Sequence, residues 1–304
     1  MKATAIQAAR AASWCLLAIA LAAGTWSDAP RPHPPLILGQ YPLGPYRVLA
    51  LDTHVHTFPF SASTLWPWDV VLEAGRQGLD AIAITGHDQV MAGQMGRWFS
   101  RLIGGPTVLA GEEIISPDYH LIAVGIENTI SWRLKAGAAI DEVHRQGGIA
   151  IAAHPLAEFW PGFDEEAMRK LDGAEIVQPI IYTTGYARRE FQEFFARWRL
   201  TAIGSSDYHG LGPVGLCRTY VFVREAGEQG ILQALREGHT VVYDRLGAVY
   251  GDPSLIQLAG PESRLRGPEP TGPESGFLAA ISRTCGLLGM IGLSLGAFQL
   301  RPTA

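Results

Sequence analysis

Short apolar runs alternate with helical patterns through the middle of this chain, and that rhythm constrains its fold more than any other feature. Candidate strands fall at 47–51, 81–85, 107–110, 121–124, 149–152, 174–177, 201–203 and 220–223. Candidate helices lie at 67–78, 92–102, 134–147, 164–171, 186–198 and 225–237. Gly147-Gly148 is a helix stop placed just before a strand. Repeated βα alternation predicts a parallel sheet or barrel.

The strands end in polar chemistry. LDTHVHT follows the first with Asp52, His54 and His56, which strict alternation would place on one strand face. GHD follows the second with His87 and Asp88, and GEE follows the third with Glu112 and Glu113. His120 opens the fourth run, His154 closes AIAAHP, and GSSDYHG carries Asp207 and His209. Taken singly, a histidine beside an apolar run reads as a hydrogen-bonded core residue. Six imidazoles and several carboxylates gathered at strand ends describe a site for divalent metals such as zinc, manganese or iron. In a barrel the βα loops converge at that end of the strands. His144 and His239 stay outside the constellation.

Composition narrows the function classes. The net charge is −5 and no long Lys/Arg run occurs, which argues against a binder of duplex nucleic acid. Cys15, Cys217 and Cys285 share no close spacing, so a structural zinc knuckle is not expected. Residues 1–28 carry Lys2 and Arg10, then the uncharged stretch 11–26, the pattern of a signal peptide or an uncleaved membrane anchor. Residues 284–300 are also uncharged and largely apolar, so 277–304 reads as a C-terminal transmembrane segment. The basic N-terminal flank then favours a membrane-associated protein whose middle is extracytoplasmic, periplasmic or at the cell surface. Pro/Gly-rich stretches at 29–45 and 252–276 read as linkers around a domain at 46–251.

The motifs DTHVHT, GLDAIAITGHD, AGEEI, HLIAVGI, AAHP and GSSDYHG, in this order, resemble the polymerase and histidinol phosphatase (PHP) family. The closing ILQALREGHTVVY is similar to that family's last helix and strand. The resemblance implies a distorted, TIM-like (β/α)7 barrel binding two or three divalent ions at the C-terminal face of its strands. Its ligands would be His54, His56, His87, Glu113, His120, His154, Asp207 and His209. Asp52, Asp88 and Glu175 would orient those ligands, and Arg188 and Arg218 would meet phosphate. Two departures stand out: Ser61-Ala62-Ser63 replaces a further ligand, and Gly86 precedes His87 where the family carries an aspartate.

The implied activity is hydrolysis of a phosphate ester by a hydroxide held between metal ions. His154, His209 and Asp207 are the catalytic candidates beyond metal binding. The expected substrate is a small phosphorylated molecule or nucleotide. The alternatives are a nuclease of short nucleic acids and a membrane-tethered metal sensor that has lost its chemistry.

Overall fold

The computed structural model describes residues 2–27, 42–198, 200–210, 212–261, 265 and 277–298. They fall into two compact units, one spanning 32–272 and the other formed by the two terminal segments.

The larger unit is built on one eleven-stranded sheet. Its strands are β1 (Pro42–Leu43), β2 (Tyr46–Val55), β3 (Ala81–His87), β4 (Thr107–Ile115), β5 (His120–Val124) and β6 (Ile149–Ala152). They continue with β7 (Gly173–Val177), β8 (Thr201–Gly204), β9 (Thr219–Val223), β10 (Thr240–Tyr243) and β11 (Val249–Gly251). The hydrogen-bonded order is β11-β10-β9-β2-β3-β4-β5-β6-β7-β8, with β1 paired to β2. The run from β2 to β8 curls into a nearly closed, seven-stranded barrel, as the resemblance implied.

Threonine hydroxyls close the last gap. Thr219 Oγ1 accepts from Gly204 N, and Thr240 Oγ1 donates to Ala202 O at 2.9 Å. Beyond them, His56 N donates to Tyr208 O across a parallel bridge between Val55 and Tyr208.

One strand breaks the expected alternation. β2, β3 and β4 are parallel, as are β6, β7 and β8, but β5 is antiparallel to both β4 and β6. No helix separates β4 from β5; they form a hairpin. His120 is therefore the first residue of its strand and still stands at the barrel mouth where the parallel strands end.

Alternation along the strands sorts the core. Leu51, Ala83, Leu109, Ile122, Ile151 and Ile203 fill the barrel together with Ile231 and Leu235 of α8 (Glu228–Arg236), which covers the end opposite the mouth. Outside, α2 (Pro67–Arg76) and α3 (Met91–Ile103) cover β2 and β3. The β4–β8 side carries α4 (Ala136–Arg145), α5 (Glu165–Lys170), α6 (Ile180–Thr183) and α7 (Ala187–Phe195).

The folded body continues past residue 251, where composition placed a linker. α9 (Pro253–Ala259) is capped by Asp252, and its Leu255 and Ala259 are buried in the outer core with Leu265. Proline and glycine there start and stop a short helix.

In the second unit, α1 (Lys2–Ser27) and α10 (Phe277–Phe298) pack as an antiparallel pair, with Ser13 against Gly289 and Ser282 donating to Ala20 O at 2.6 Å. Both terminal hydrophobic segments are thus helical. Among the described residues, no helix is long and apolar enough to cross a membrane.

α3 approaches the sheet through Gly93, where an added Cβ would meet Ala110 Cα at 2.8 Å and Ile84 O at 2.9 Å. Those atoms are backbone and cannot rotate aside. Gly93→Ala should cost about 1–3 kcal/mol by overpacking, more than the roughly 1 kcal/mol that alanine gains over glycine in a helix. Thermal unfolding followed by circular dichroism should show a lowered midpoint; an unchanged or raised one would contradict this packing.

Candidate metal centre

β2 brings two histidines into the barrel mouth by breaking its own alternation. Its register against β3 shifts between Asp52 and Val55, so His54 points inward three residues after the inward-facing Leu51. Asp52 consequently does not share the face of the imidazoles, as strict alternation predicted. Its carboxylate accepts from Ser206 N, Ser206 Oγ and Gly215 N, and thereby pins the loop that carries Asp207. Burial pushes Asp52 up to about 6, against the pull of those donors.

The other strands behave regularly. On β4, Glu113 faces inward, while Glu112 faces outward and accepts from Ile130 N. Burial raises Glu112 to about 7. His87 ends β3, His120 begins β5 and His154 follows β6. Asp88, His154 and Asp207 have φ of 49°, 23° and 46°, the only positive values at described residues other than glycine. All three lie in the motif loops at the mouth. Such backbone is uncommon for side-chain-bearing residues and concentrates at functional sites.

All eight expected ligands converge there. Glu113 Oε2 lies 3.4 Å from Nε2 of each of His54, His56 and His87. Its other oxygen lies 3.0 Å from His154 Nε2 and 3.3 Å from His120 Nδ1. Asp207 Oδ1 stands 3.1 Å from His56 Nε2, 3.4 Å from His54 Nε2 and 3.2 Å from His209 Nδ1. Three sets of groups able to hold a cation emerge: His54, His56 and Glu113; Glu113, His120 and His154; and His56, His87 and His209. One carboxylate thus serves two of the three sets.

The residues fit divalent ions. Ligands about 2.0–2.2 Å from a tetrahedral metal stand roughly 3.3–3.6 Å from one another, and most of these separations fall close to that range. His120 Nδ1 is buried with no hydrogen-bond partner although it lies near Glu113. An orphaned nitrogen facing a carboxylate oxygen suits a cation held by both.

The electrostatics agree. Burial opposes charge on Glu113 and Asp207, yet the surrounding histidines hold both well below the usual carboxylate range. Burial also opposes charge on His54, but Asp207, Glu113 and Glu175 raise it well above the ordinary histidine value. Desolvation pushes His56 down to about 4. Cations at the centre would satisfy the carboxylates without requiring charged imidazoles.

Glu175 is fully buried behind the cluster. It accepts from His54 Nδ1 at 2.9 Å, from His154 N and from Ser205 Oγ. The first contact leaves the His54 Nε2 lone pair directed at the site. Asp88 instead accepts from Ile115 N and buttresses the end of β4.

Two other expectations shift. Arg188 does not stand free for phosphate, because its guanidinium is paired with the buried Asp244. Arg218 is engaged by the carbonyls of Gly215 and Gln77. Conversely, Ser61, in the segment that lacks a ligand, has a site role. Its Oγ accepts from His87 N and lies 3.2 Å from His56 Nδ1. Gln178 Nε2 donates to Asp207 Oδ2 at 2.9 Å. Neither residue was marked by a motif; Ser61 was visible only as a departure from one.

Comparison with known proteins agrees with this picture. The PHP-associated family (PHP_C) matches residues 185–240. An uncharacterized protein of Methanocaldococcus jannaschii, MJ1587, is 25% identical over 136 residues, covering 41% of this chain and 79% of that one. A crystal structure from Bacteroides vulgatus superposes with a TM-score of 0.57 at 23% identity, covering 72% of this chain and 71% of that one. It is described as a two-domain protein containing a predicted PHP-like metal-dependent phosphoesterase, and at this identity the likeness speaks for the fold. The PHP-associated match over residues 185–240 and the shared fold agree with the seven-stranded barrel, so the chain is similar to PHP proteins in fold and over that segment.

Proposed function

We propose that this chain is a metal-dependent hydrolase of phosphate esters, working on a small phosphorylated substrate with at least two divalent ions. The observation that carries this reading is Glu113, whose two oxygens face separate histidine sets. When bound there, divalent ions supply a water of lowered pKa and positive charge for phosphoryl oxygens.

The chain's own groups do the positioning. Glu113 spaces the two histidine sets. Glu175 holds the tautomer of His54, and Gln178 and Asp52 hold Asp207 and its loop. His154 aims Nε2 at Glu113, so it is committed to the cluster. With Nδ1 turned to Asp207 O at 3.0 Å, His209 keeps Nε2 for one of two uses: a ligand where the set with His56 and His87 holds an ion, or a proton carrier where only the two sets on Glu113 are filled. Burial opposes its charge, but Asp207 raises His209 above the ordinary histidine value.

With Arg188 occupied, we assign substrate contact at the rim to Arg245. It is exposed and lies 3.6 Å over the Tyr182 ring, next to the Asp244–Arg188 pair. Tyr182 and Asp244 lie just beyond the ends of β7 and β10, on the mouth side of the barrel.

Three measurements test the reading. Glu113→Gln should lower both bound metal, measured by mass spectrometry, and hydrolysis of an aryl phosphate. The activity loss should exceed the roughly 10- to 100-fold typical of groups behind a metal ligand. Wild-type turnover in this variant, or metal bound with a whole panel of phosphate mono- and diesters inert, would sink the hydrolase assignment. Glu175→Gln should weaken metal affinity by roughly 10- to 100-fold, with activity recovering in excess metal. Arg245→Ala should raise KM several-fold at unchanged metal content; an unchanged KM would remove Arg245 from the substrate path.

A further inference from the structure

The α1–α10 pair is built inside out for a water-soluble helix pair. Its seam is made of small groups: Ser13, Ala20 and Ser282 are all under 5% exposed. A Cβ at Gly289 would meet Leu17 Cγ at 2.8 Å and Ser13 O at 2.9 Å, so the backbones lie too close for a side chain there. Leu17 lies half-buried against Gly289, while six other large apolar residues point away from the seam. Trp14, Ile19, Leu21, Leu287, Leu288 and Ile291 are between 45% and 62% exposed.

Polar atoms in the seam are satisfied within the pair. Ser13 Oγ donates to Ala9 O at 2.9 Å, and Ser282 Oγ donates to Ala20 O. Within 11–23 and 285–293 the exposed surface is mostly hydrocarbon, while Gln7, Arg10 and Thr284 are exposed just outside those spans. In water, helices associate by burying large apolar groups and turning small or polar ones outward. In lipid that drive is absent, and helices pack through small residues and internal hydrogen bonds. No Asp, Glu, Lys or Arg occurs at 11–27 or at 284–300. The helical parts of those stretches, 11–27 and 284–298, span about 25 Å and about 22 Å, against the roughly 30 Å of a bilayer's hydrocarbon core.

From this distribution we infer that the α1–α10 pair inserts as a unit into a lipid bilayer, with Trp14, Leu287, Leu288 and Ile291 facing acyl chains. Neither helix alone is apolar enough for a span among the described residues. Pairing changes that balance, because the glycines and serines that dilute each helix are withdrawn from lipid into the seam.

The test uses the full chain, purified in detergent and diluted into phosphatidylcholine vesicles. The protein should float with the vesicles on a density gradient and resist extraction by alkaline carbonate. Leu287→Asn, Leu288→Asn and Ile291→Asn combined should reduce the floated fraction at least tenfold while leaving bound metal unchanged. Because the chain has eight tryptophans, Trp14 is read by difference against Trp14→Phe with brominated lipid as quencher. Quenching of Trp14 supports insertion. Flotation without that quenching overturns it, as does a chain that stays in the lipid-free fractions as a monomer. An oligomer that shields Trp14 without lipid also overturns it and makes a second copy the occupant of this face.

Discussion

Everything at the barrel mouth is arranged around one buried carboxylate. Glu113 directs one oxygen to the imidazoles of His54, His56 and His87, and the other to His120 and His154. A carboxylate with almost no solvent contact is costly unless positive charge or donors surround it. The chain meets that cost with imidazoles whose remaining lone pairs converge on the same space. The arrangement is self-consistent as a cation site and wasteful as a core. Occupancy of one cation position should also alter the other, since both draw on the one carboxylate, each through its own oxygen.

Backbone irregularity, more than side-chain choice, assembles this cluster. A register shift in β2 turns His54 inward, and reversal of β5 brings a strand's first residue to the mouth. Left-handed conformations at Asp88, His154 and Asp207 shape the connecting loops. Pro155 after His154 is an added constraint, because a residue preceding proline is ordinarily held extended. Each of these particular departures coincides with a residue of the site or of the loops that carry it.

Much of this was legible from residue patterns. Apolar runs located the barrel strands, and strand-end histidines located the mouth, because periodicity and placement are local properties. The finer errors share one cause. Asp52 looked like a partner of the imidazoles because alternation was assumed to continue through LDTHVHT, and a register shift leaves no mark in composition. Arg188 looked available because its partner Asp244 lies 56 residues away. Ser61 and Gln178 were missed because a hydroxyl or amide supporting a ligand has no characteristic spacing. α9 was hidden in a proline- and glycine-rich segment whose residues cap a helix instead of preventing one.

The β4–β5 hairpin has a consequence for how the site comes together. Glu113 and His120 lie seven positions apart on its two arms, so a short loop closure brings them face to face with little loss of chain entropy. His154 joins them after one further helix, whereas Asp207 reaches His54 only across more than 150 residues. The half of the site built by the hairpin can therefore be preorganised early in folding, while the other half awaits closure of the barrel. A cation captured by the early half would act as a template around which the distant strands are gathered.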